Sequence, residues 1–223
     1  MKLLLALFLT IPLAVLAKDV KCPKDFIHVK RTPTARNNHT KDWCLGAFVA
    51  DNMGNRDRAR SFCISKSAML GVPENKAEYD LIIDHITKNN VTDSQALFAV
   101  DGQMSQRCKA QIFTLMQQRI KYDTKTMKGD CNIKKNLFVF DDANTDPKYV
   151  LSQFSFSIPN GLSEQQKRDG PIYRTTDECI QMQISIFPHP FNTSGCGGKQ
   201  PTTEKDSFEK RSIDAVVCGR APL

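Results

Sequence analysis

The eight cysteines of this 223-residue chain, together with its apolar N-terminus, most constrain what it can fold into. After Met1-Lys2, the residues from Leu3 to Ala17 form an almost unbroken apolar run. This pattern predicts a signal peptide over residues 1–17 with cleavage after Ala17, the alternative being an uncleaved anchor. The run is shorter than the roughly 20 apolar residues that a membrane span needs. Export would place all eight cysteines in an oxidising compartment, where an even count favours four disulfide bonds.

The remaining residues, 18–223, predict a single domain, because they contain no internal repeat, low-complexity tract or long linker. The formal net charge is +7, and most of the excess lies between Gln103 and Asn136, where eight lysines and arginines accompany two aspartates. This segment is either an anion-binding patch, for a sulfated glycan, lipopolysaccharide or acidic phospholipid, or a solvated lysine-rich loop. Lys134 and Lys135 are its candidate ligand-binding residues. Aromatic side chains do not alternate with the basic ones, which argues against nucleic acid as the partner.

Three glycosylation sequons accompany the predicted signal. They begin at Asn38, Asn90 and Asn192, and none has proline at the middle position. In an exported protein each of these asparagines can accept an N-linked glycan and must then lie at the surface. We therefore expect a secreted, extracellular glycoprotein without a membrane span.

The hydrophobic pattern predicts helices first and strands afterwards. A helix is predicted over residues 55–69, and a second begins at Asn75, with Glu78 three residues on as in a capping box. The stretch before them, from Cys22 to Trp43, reads as irregular. Short strands follow, the first ending at an Asp101-Gly102 turn; they are predicted at Leu97–Val100, Leu137–Phe140, Phe154–Phe156, Cys179–Ile186 and Ala215–Cys218. Helices followed by strands indicate an α+β domain with long loops.

Several local strings occur in one order along nearly the whole chain. They are Cys22-Pro23, Trp43-Cys44, Phe98-Ala99-Val100-Asp101-Gly102, Phe138-Val139-Phe140-Asp141-Asp142, Ile158-Pro159-Asn160, Glu178-Cys179-Ile180-Gln181-Met182 and Val217-Cys218-Gly219. In this order they resemble the C-type lectin-like domain, especially its secreted nematode forms, over residues 22–219. The resemblance implies a C-type lectin-like fold with two helices, short antiparallel sheets, a long loop region and four disulfides.

The resemblance also implies a disulfide pairing, which the spacing of eight cysteines alone leaves open among 105 possibilities. The pairs that it implies are Cys63 with Cys218, Cys179 with Cys196, and Cys22 with Cys44, and the fourth pair would be Cys108 with Cys131 around the basic segment. That segment is where members of the family differ most, which suits a variable recognition surface.

Sugar binding in this family implies a Ca²⁺ ion held by side-chain oxygens, several of them charged. The family's usual strings are Glu-Pro-Asn or Gln-Pro-Asn on the long loop and Trp-Asn-Asp before a core cysteine. Here the first reads Ile158-Pro159-Asn160, and the second has Asn192-Thr193 before Cys196. A hydrocarbon and a neutral hydroxyl thus replace two ligand oxygens, and Asn192 also begins a sequon. We therefore expect no calcium cofactor and no metal site at Ile158, Asn160, Asn192 and Thr193.

A second calcium-like string starts at Asp142 and reads Asp-Ala-Asn-Thr-Asp, as an EF-hand loop does. The glycine that such a loop needs next is Pro147, and Gln153 replaces the glutamate at position twelve. We interpret this string as a turn that follows a strand.

These observations predict a secreted recognition protein that binds carbohydrate or another extracellular ligand without the usual calcium site, with a role in innate defence implied by the resemblance. Its partner would be a glycan or an anionic extracellular ligand, contacted through Asn160, Lys134 or Lys135. No catalytic residues are assigned, because no nucleophile–base pair and no Gly-x-Ser-x-Gly or His-Glu-x-x-His string occurs. The alternatives are a secreted matrix or structural interaction protein and, with less support, a protease inhibitor or hydrolase.

Overall fold

A computed structural model describes residues 19–53, 55–88, 96–117, 129–154, 179–184, 190–194, 196 and 213–223. The strands and α-helices within these ranges are β1 (Ile27–Lys30), β2 (Asp42–Met53), α1 (Arg56–Ser65), β3 (Met69–Leu70), α2 (Lys76–Lys88), β4 (Leu97–Met104), α3 (Gln106–Gln117), β5 (Phe138–Val139), α4 (Lys148–Ser152), β6 (Cys179–Gln183), β7 (Phe191–Ser194) and β8 (Ile213–Arg220). The predicted signal peptide, the sequon at Asn90 and the segment with Ile158 and Asn160 lie outside the described residues.

The strands form one mixed sheet in the order β1-β2-β8-β4-β6-β7, with β3 beside β8 and β5 beside β4. The pairings are antiparallel except that of β4 with β8, which is parallel. The last strand of the chain therefore lies in the middle of the sheet, between strands from its first half. Helices combined with this sheet confirm the predicted α+β fold class.

The central strand β8 is buried on both faces, and its residues alternate between two hydrophobic clusters. Ala215 and Val217 belong to the cluster that also contains Ile82 and Ile86 of α2. Val216 belongs to the other cluster, which contains Ala59 of α1. Because successive residues of a strand point to opposite faces, α1 and α2 cover opposite faces of the sheet. Burying each of the two isoleucines stabilises this packing by roughly 1.5–3 kcal/mol.

Four disulfide bonds join the described elements, and their pairing confirms the one implied by the resemblance. The pairs are Cys22–Cys44, Cys63–Cys218, Cys108–Cys131 and Cys179–Cys196. Cys63 of α1 is bonded to Cys218 of β8, across a sequence separation of 155 residues. In the chain-entropy account, closing a loop of that length stabilises the fold by about 5 kcal/mol.

The first two helices begin where their capping residues predict. Asn55 Oδ1 accepts a hydrogen bond from the Arg58 backbone N–H at 2.8 Å, and Asn75 Oδ1 accepts one from Glu78 N–H at 2.9 Å. The predicted extension of the first helix to Met69 is wrong: α1 ends at Ser65, and Met69 starts β3. The chain leaves the helix because Ser67 adopts a left-handed conformation with φ of 53°.

The predicted turn at Asp101-Gly102 is wrong, because β4 continues through it to Met104. Its register with β6 shifts between Ala99 and Gln103, which marks a β-bulge. Gly102 has φ of +116°, and a Cβ there would lie 2.5 Å from Ile180 Cδ1, so only glycine fits. The glycine that reads as a turn signal in sequence is thus the bulge of a central strand.

Three predictions about the rest of the chain also need correction. The supposedly irregular stretch up to Trp43 contains β1, a 3-10 helix at Ala35–Asn37 and the first two residues of the twelve-residue β2. The basic segment is not simply a loop, since it begins with the helix α3, and the short α4 is a further helix beyond the two predicted. The strands predicted at residues 137–140 and 179–186 are shorter here, whereas the last strand is longer, extending from Ile213 to Arg220.

Candidate ligand-binding surface

The strand β7 carries two of the positions at which the resemblance implies calcium ligands. Its backbone pairs with β6, with Asn192 opposite Gln181 and Thr193 opposite Ile180. The Cys179–Cys196 disulfide joins the start of β6 to a cysteine two residues after the end of β7. The strand pair thus has asparagine and threonine at positions where the family pattern has an amide and a carboxylate. A neutral hydroxyl lacks the charge that calcium ligands usually supply.

The calcium-like string at Asp142 forms a turn, as the sequence predicts. Asp142 is buried, and its Oδ1 accepts a hydrogen bond from the Asn144 backbone N–H at 2.8 Å. Its Oδ2 accepts one from Thr145 Oγ1 at 2.6 Å. Both carboxylate oxygens are therefore used inside the turn. Across the residues that the structure describes, no three His, Cys, Asp or Glu side chains form a group that could hold a metal ion.

A buried ion pair fastens this turn to the helix α2. The Arg31 guanidinium donates from Nε and Nη2 to the two carboxylate oxygens of Glu78, each at 2.9 Å, and both side chains are almost fully buried. Arg31 Nη1 also donates to the Asn144 carbonyl at 2.9 Å and to Thr145 Oγ1 at 2.7 Å. The arginine therefore ties the segment after β1 to both α2 and the turn.

Glu74 adds a second carboxylate to this ion pair. Its Oε2 lies 3.6 Å from Arg31 Nε, and its Oε1 accepts hydrogen bonds from Asn37 Nδ2 at 3.0 Å and Asp146 N–H at 2.7 Å. Burial raises the pKa of Glu74, although these hydrogen bonds and Arg31 oppose the change. The ion pair is therefore a structural anchor whose oxygens already have partners.

A second buried ion pair anchors the start of the turn. Arg56 Nη2 of α1 donates to Asp101 Oδ1 at 2.8 Å and to Asp141 Oδ2 at 3.2 Å. Asp101 Oδ2 accepts a hydrogen bond from Asp142 N–H at 2.9 Å, and its Oδ1 accepts one from Gly102 N–H at 2.8 Å. Burial raises the pKa of Asp101 despite these contacts. Both oxygens of Asp101 and Arg56 Nη2 have partners within the protein, whereas the buried Arg56 Nε has none. This ion pair therefore joins α1, β4 and the turn.

The basic segment is organised by the Cys108–Cys131 disulfide. Cys108 lies on α3, and Cys131 lies in a turn that we call the basic turn (residues 129–137). Both cysteines are buried, as are Ile133 and Leu137, whereas Lys134 and Lys135 are exposed. The apolar side chains of the basic turn thus point into the core, and its two lysines point out.

The backbone of the basic turn is held by its own hydrogen bonds. Asn132 Oδ1 accepts one from Lys134 N–H at 2.8 Å, and the Asn132 carbonyl accepts one from Lys135 N–H at 2.9 Å. The Asp130 carbonyl accepts a third, from Asn136 N–H at 2.9 Å. The two lysines are therefore presented from a fixed backbone, which lowers the entropy that binding would cost.

Sequence reasoning identified the two lysines but missed what supports them. The helix α3 was detectable from Cys108, Ile112 and Leu115, whose spacing of four and three residues is that of one helix face. The ion pairs of Arg31 and Arg56 had no such local signal. Their partners, Glu78 and Asp101, lie 47 and 45 residues further along the chain.

Comparison with known proteins identifies the family. A model of the family described as C-type lectin domain-containing protein 141/158 matches residues 28–221. The chain belongs to this family. C-type lectin domain-containing protein 158 of Caenorhabditis elegans is 23% identical over 217 residues, which are 94% of this chain and 93% of that protein. The predicted resemblance is thereby confirmed.

Solved C-type lectin-like structures are similar over most of the chain at low identity. A calcium-independent type II antifreeze protein covers 93% of this chain and 99% of its own, at 11% identity and a TM-score of 0.46. The carbohydrate-recognition domain of cow CD23 covers 92% and 98%, at 16% identity and a TM-score of 0.42. Human lithostathine covers 90% and 91%, at 11% identity and a TM-score of 0.44.

The family is one of binding proteins rather than enzymes, so a binding surface is the functional site to expect in this C-type lectin-like chain. Its four disulfides fit an oxidising, extracellular environment. None of the described helices is both long and apolar enough to span a membrane.

Proposed function

We propose that this protein is a secreted recognition protein that binds carbohydrate or another extracellular ligand without the usual calcium-dependent sugar site, in the setting of innate defence. The observation that carries the proposal is that position 193 is a threonine. It stands on β7 opposite Ile180, beside the Cys179–Cys196 disulfide, where the family pattern places a calcium-binding carboxylate. The framework for a ligand site is retained, and a charged ligand of the ion is replaced.

The sequence of the predicted long loop supports the same proposal. Ile158 brings a hydrocarbon where the family has a glutamate or glutamine, so two of the oxygens that would hold the ion are absent. Ca²⁺ prefers six to eight oxygen ligands and needs several charged ones, so the remaining Asn160 and Asn192 amides are too few to compensate for its dehydration.

The proposal is tested by binding measurements with and without calcium. Isothermal titration of the purified, oxidised protein with CaCl₂ should show no uptake at millimolar concentration. A glycan array probed in calcium and then in EGTA should give the same bound glycans. Binding that is lost in EGTA and restored by calcium contradicts the proposal.

Two variants then locate the recognising surface. Asn160→Ala removes the remaining polar side chain of the family's loop string, whereas Lys134→Gln/Lys135→Gln neutralises the basic turn. Loss of array signal in the first variant alone assigns recognition to the loop, and loss in the second alone assigns it to the basic turn. A protein that binds no array glycan, and that instead inhibits a protease or cleaves a common hydrolase substrate, refutes the proposed function.

A further inference from the structure

The excess positive charge of the chain is concentrated in one sequence segment, and a disulfide joins two cysteines within that segment. Residues 103–136 contain eight lysines and arginines and two aspartates, while the formal charge of the whole chain is only +7. The Cys108–Cys131 bond, with a Cα–Cα distance of 5.4 Å, joins the start of α3 to the basic turn. The start of α3 and the basic turn therefore lie side by side.

Asp130, the acidic residue of the basic turn, already has an ion-pair partner. Asp130 Oδ2 lies 2.9 Å from Arg107 Nη1, at the start of α3. Neither Lys134 nor Lys135 forms an ion pair within the described part of the chain. The Arg107–Asp130 pair is internally neutral, so the two lysine charges remain available to an external anion.

We propose that the basic turn, with Lys134 and Lys135, binds a linear anionic polysaccharide that carries sulfate or carboxylate groups. This inference rests on the proposed function and names its ligand class. Two adjacent lysines on a fixed backbone match a polymer with closely repeated negative groups, because each ammonium attracts anions without requiring one fixed hydrogen-bond geometry. Binding of this kind depends strongly on charge screening.

An acidic membrane surface is a less suitable partner for the basic turn. Stable attachment to a membrane needs apolar groups that insert, in addition to cations. Both large apolar side chains of the basic turn, Ile133 and Leu137, are buried, with 2% and 0% of their surface exposed. The turn therefore offers charge without an anchor, which favours a soluble or cell-surface polyanion.

The test measures binding of the full, oxidised protein to immobilised heparin by surface plasmon resonance in EGTA. Lys134→Gln/Lys135→Gln should weaken binding by roughly 3- to 10-fold, as two exposed charge contacts of ordinary strength predict. Raising NaCl from about 50 mM to about 300 mM should weaken heparin binding by the wild-type protein, since salt shortens the Debye length. Neutral dextran should not bind to the basic turn.

The matched control is Lys30→Gln/Lys41→Gln, which removes the same charge from exposed lysines on and beside the β1–β2 pair. It should change heparin binding less than twofold, and both variants should keep the wild-type thermal unfolding midpoint. Equal weakening by both variants, salt-independent binding, or tighter binding to phosphatidylserine vesicles than to heparin would each overturn the inference. Calcium-independent binding to neutral array glycans with none to heparin refutes it while leaving the proposed function intact.

Discussion

Removing one partner of the buried Arg31–Glu78 ion pair should cost far more stability than breaking an exposed pair of the same helix. Its side chains are 0% and 3% exposed, and the guanidinium binds both carboxylate oxygens at 2.9 Å. Glu78→Gln keeps the shape of the side chain and one oxygen acceptor but removes the charge. Arg31 then remains buried, without the carboxylate that compensates its positive charge.

Removing one partner of a buried ion pair typically costs about 3–5 kcal/mol, because the other charge stays desolvated. In this protein Glu74 Oε2, 3.6 Å from Arg31 Nε, keeps a second carboxylate close. We therefore expect Glu78→Gln to lower the free energy of unfolding by about 3 kcal/mol, near the lower end of that range. With a urea m-value of about 1–3 kcal/mol per molar, the midpoint should fall by roughly 1–3 M.

The assay is urea unfolding followed by the fluorescence of Trp43, the single tryptophan, which is 3% exposed. Disulfides stay oxidised throughout, so that loss of a bond does not add to the measured change. The matched control is Asp84→Asn, which breaks an exposed pair with Lys88 on the same helix and should cost less than about 0.5 kcal/mol. If both variants cost the same, the reasoning about burial is wrong.

Two further predictions concern titration and modification. Burial raises the pKa of Asp101 above its ordinary value of 3.8, so the folded state holds this proton more tightly than the unfolded state. Stability from this group is therefore lost as the pH rises from the ordinary pKa through the raised one. Urea titrations at increasing pH, starting at about pH 4, should show wild type losing stability relative to Asp101→Asn, and a gain contradicts the assigned direction. Asn38 is exposed and adopts a left-handed conformation with φ of 50°. It should carry an N-linked glycan in protein from a eukaryotic secretory host, so Asn38→Gln should abolish one of the mass losses caused by peptide N-glycosidase F. An unchanged number of mass losses contradicts glycosylation at Asn38.

The features that the sequence predicts well in this chain depend on contacts between residues only a few positions apart. Asn55 and Asn75 cap helices because each side chain reaches an N–H three residues on, so both helix starts are visible locally. The end of α1 was misplaced, since it depends on Ser67 leaving the helical conformation. Gly102 shows the limit of local signals: a turn and a β-bulge both need glycine, and only pairing with β6 distinguishes them.

Elements that depend on distant partners were not predictable. The strand β2 runs twelve residues because it pairs with β8, whose residues lie near the other end of the chain. The buried arginines are a similar case, since a lone Arg31 or Arg56 reads as a surface residue until its carboxylate partner is placed beside it. The cysteine order succeeded where local patterns failed, because the resemblance it carries fixes distant pairs directly.

The turn at Asp142 shows why a sequence motif does not by itself define a binding site in this fold. An EF-hand loop leaves its carboxylate oxygens free for the ion, whereas both oxygens of Asp142 accept hydrogen bonds from Asn144 and Thr145. Arg31 and the Arg56–Asp101 pair hold the same turn from two sides, so opening it for a metal would break buried ion pairs as well. The carboxylate oxygens of this turn and of the ion pairs beside it therefore stabilise the fold. Lys134 and Lys135, in contrast, form no ion pair with the described residues, which is why the proposed polyanion site is placed there.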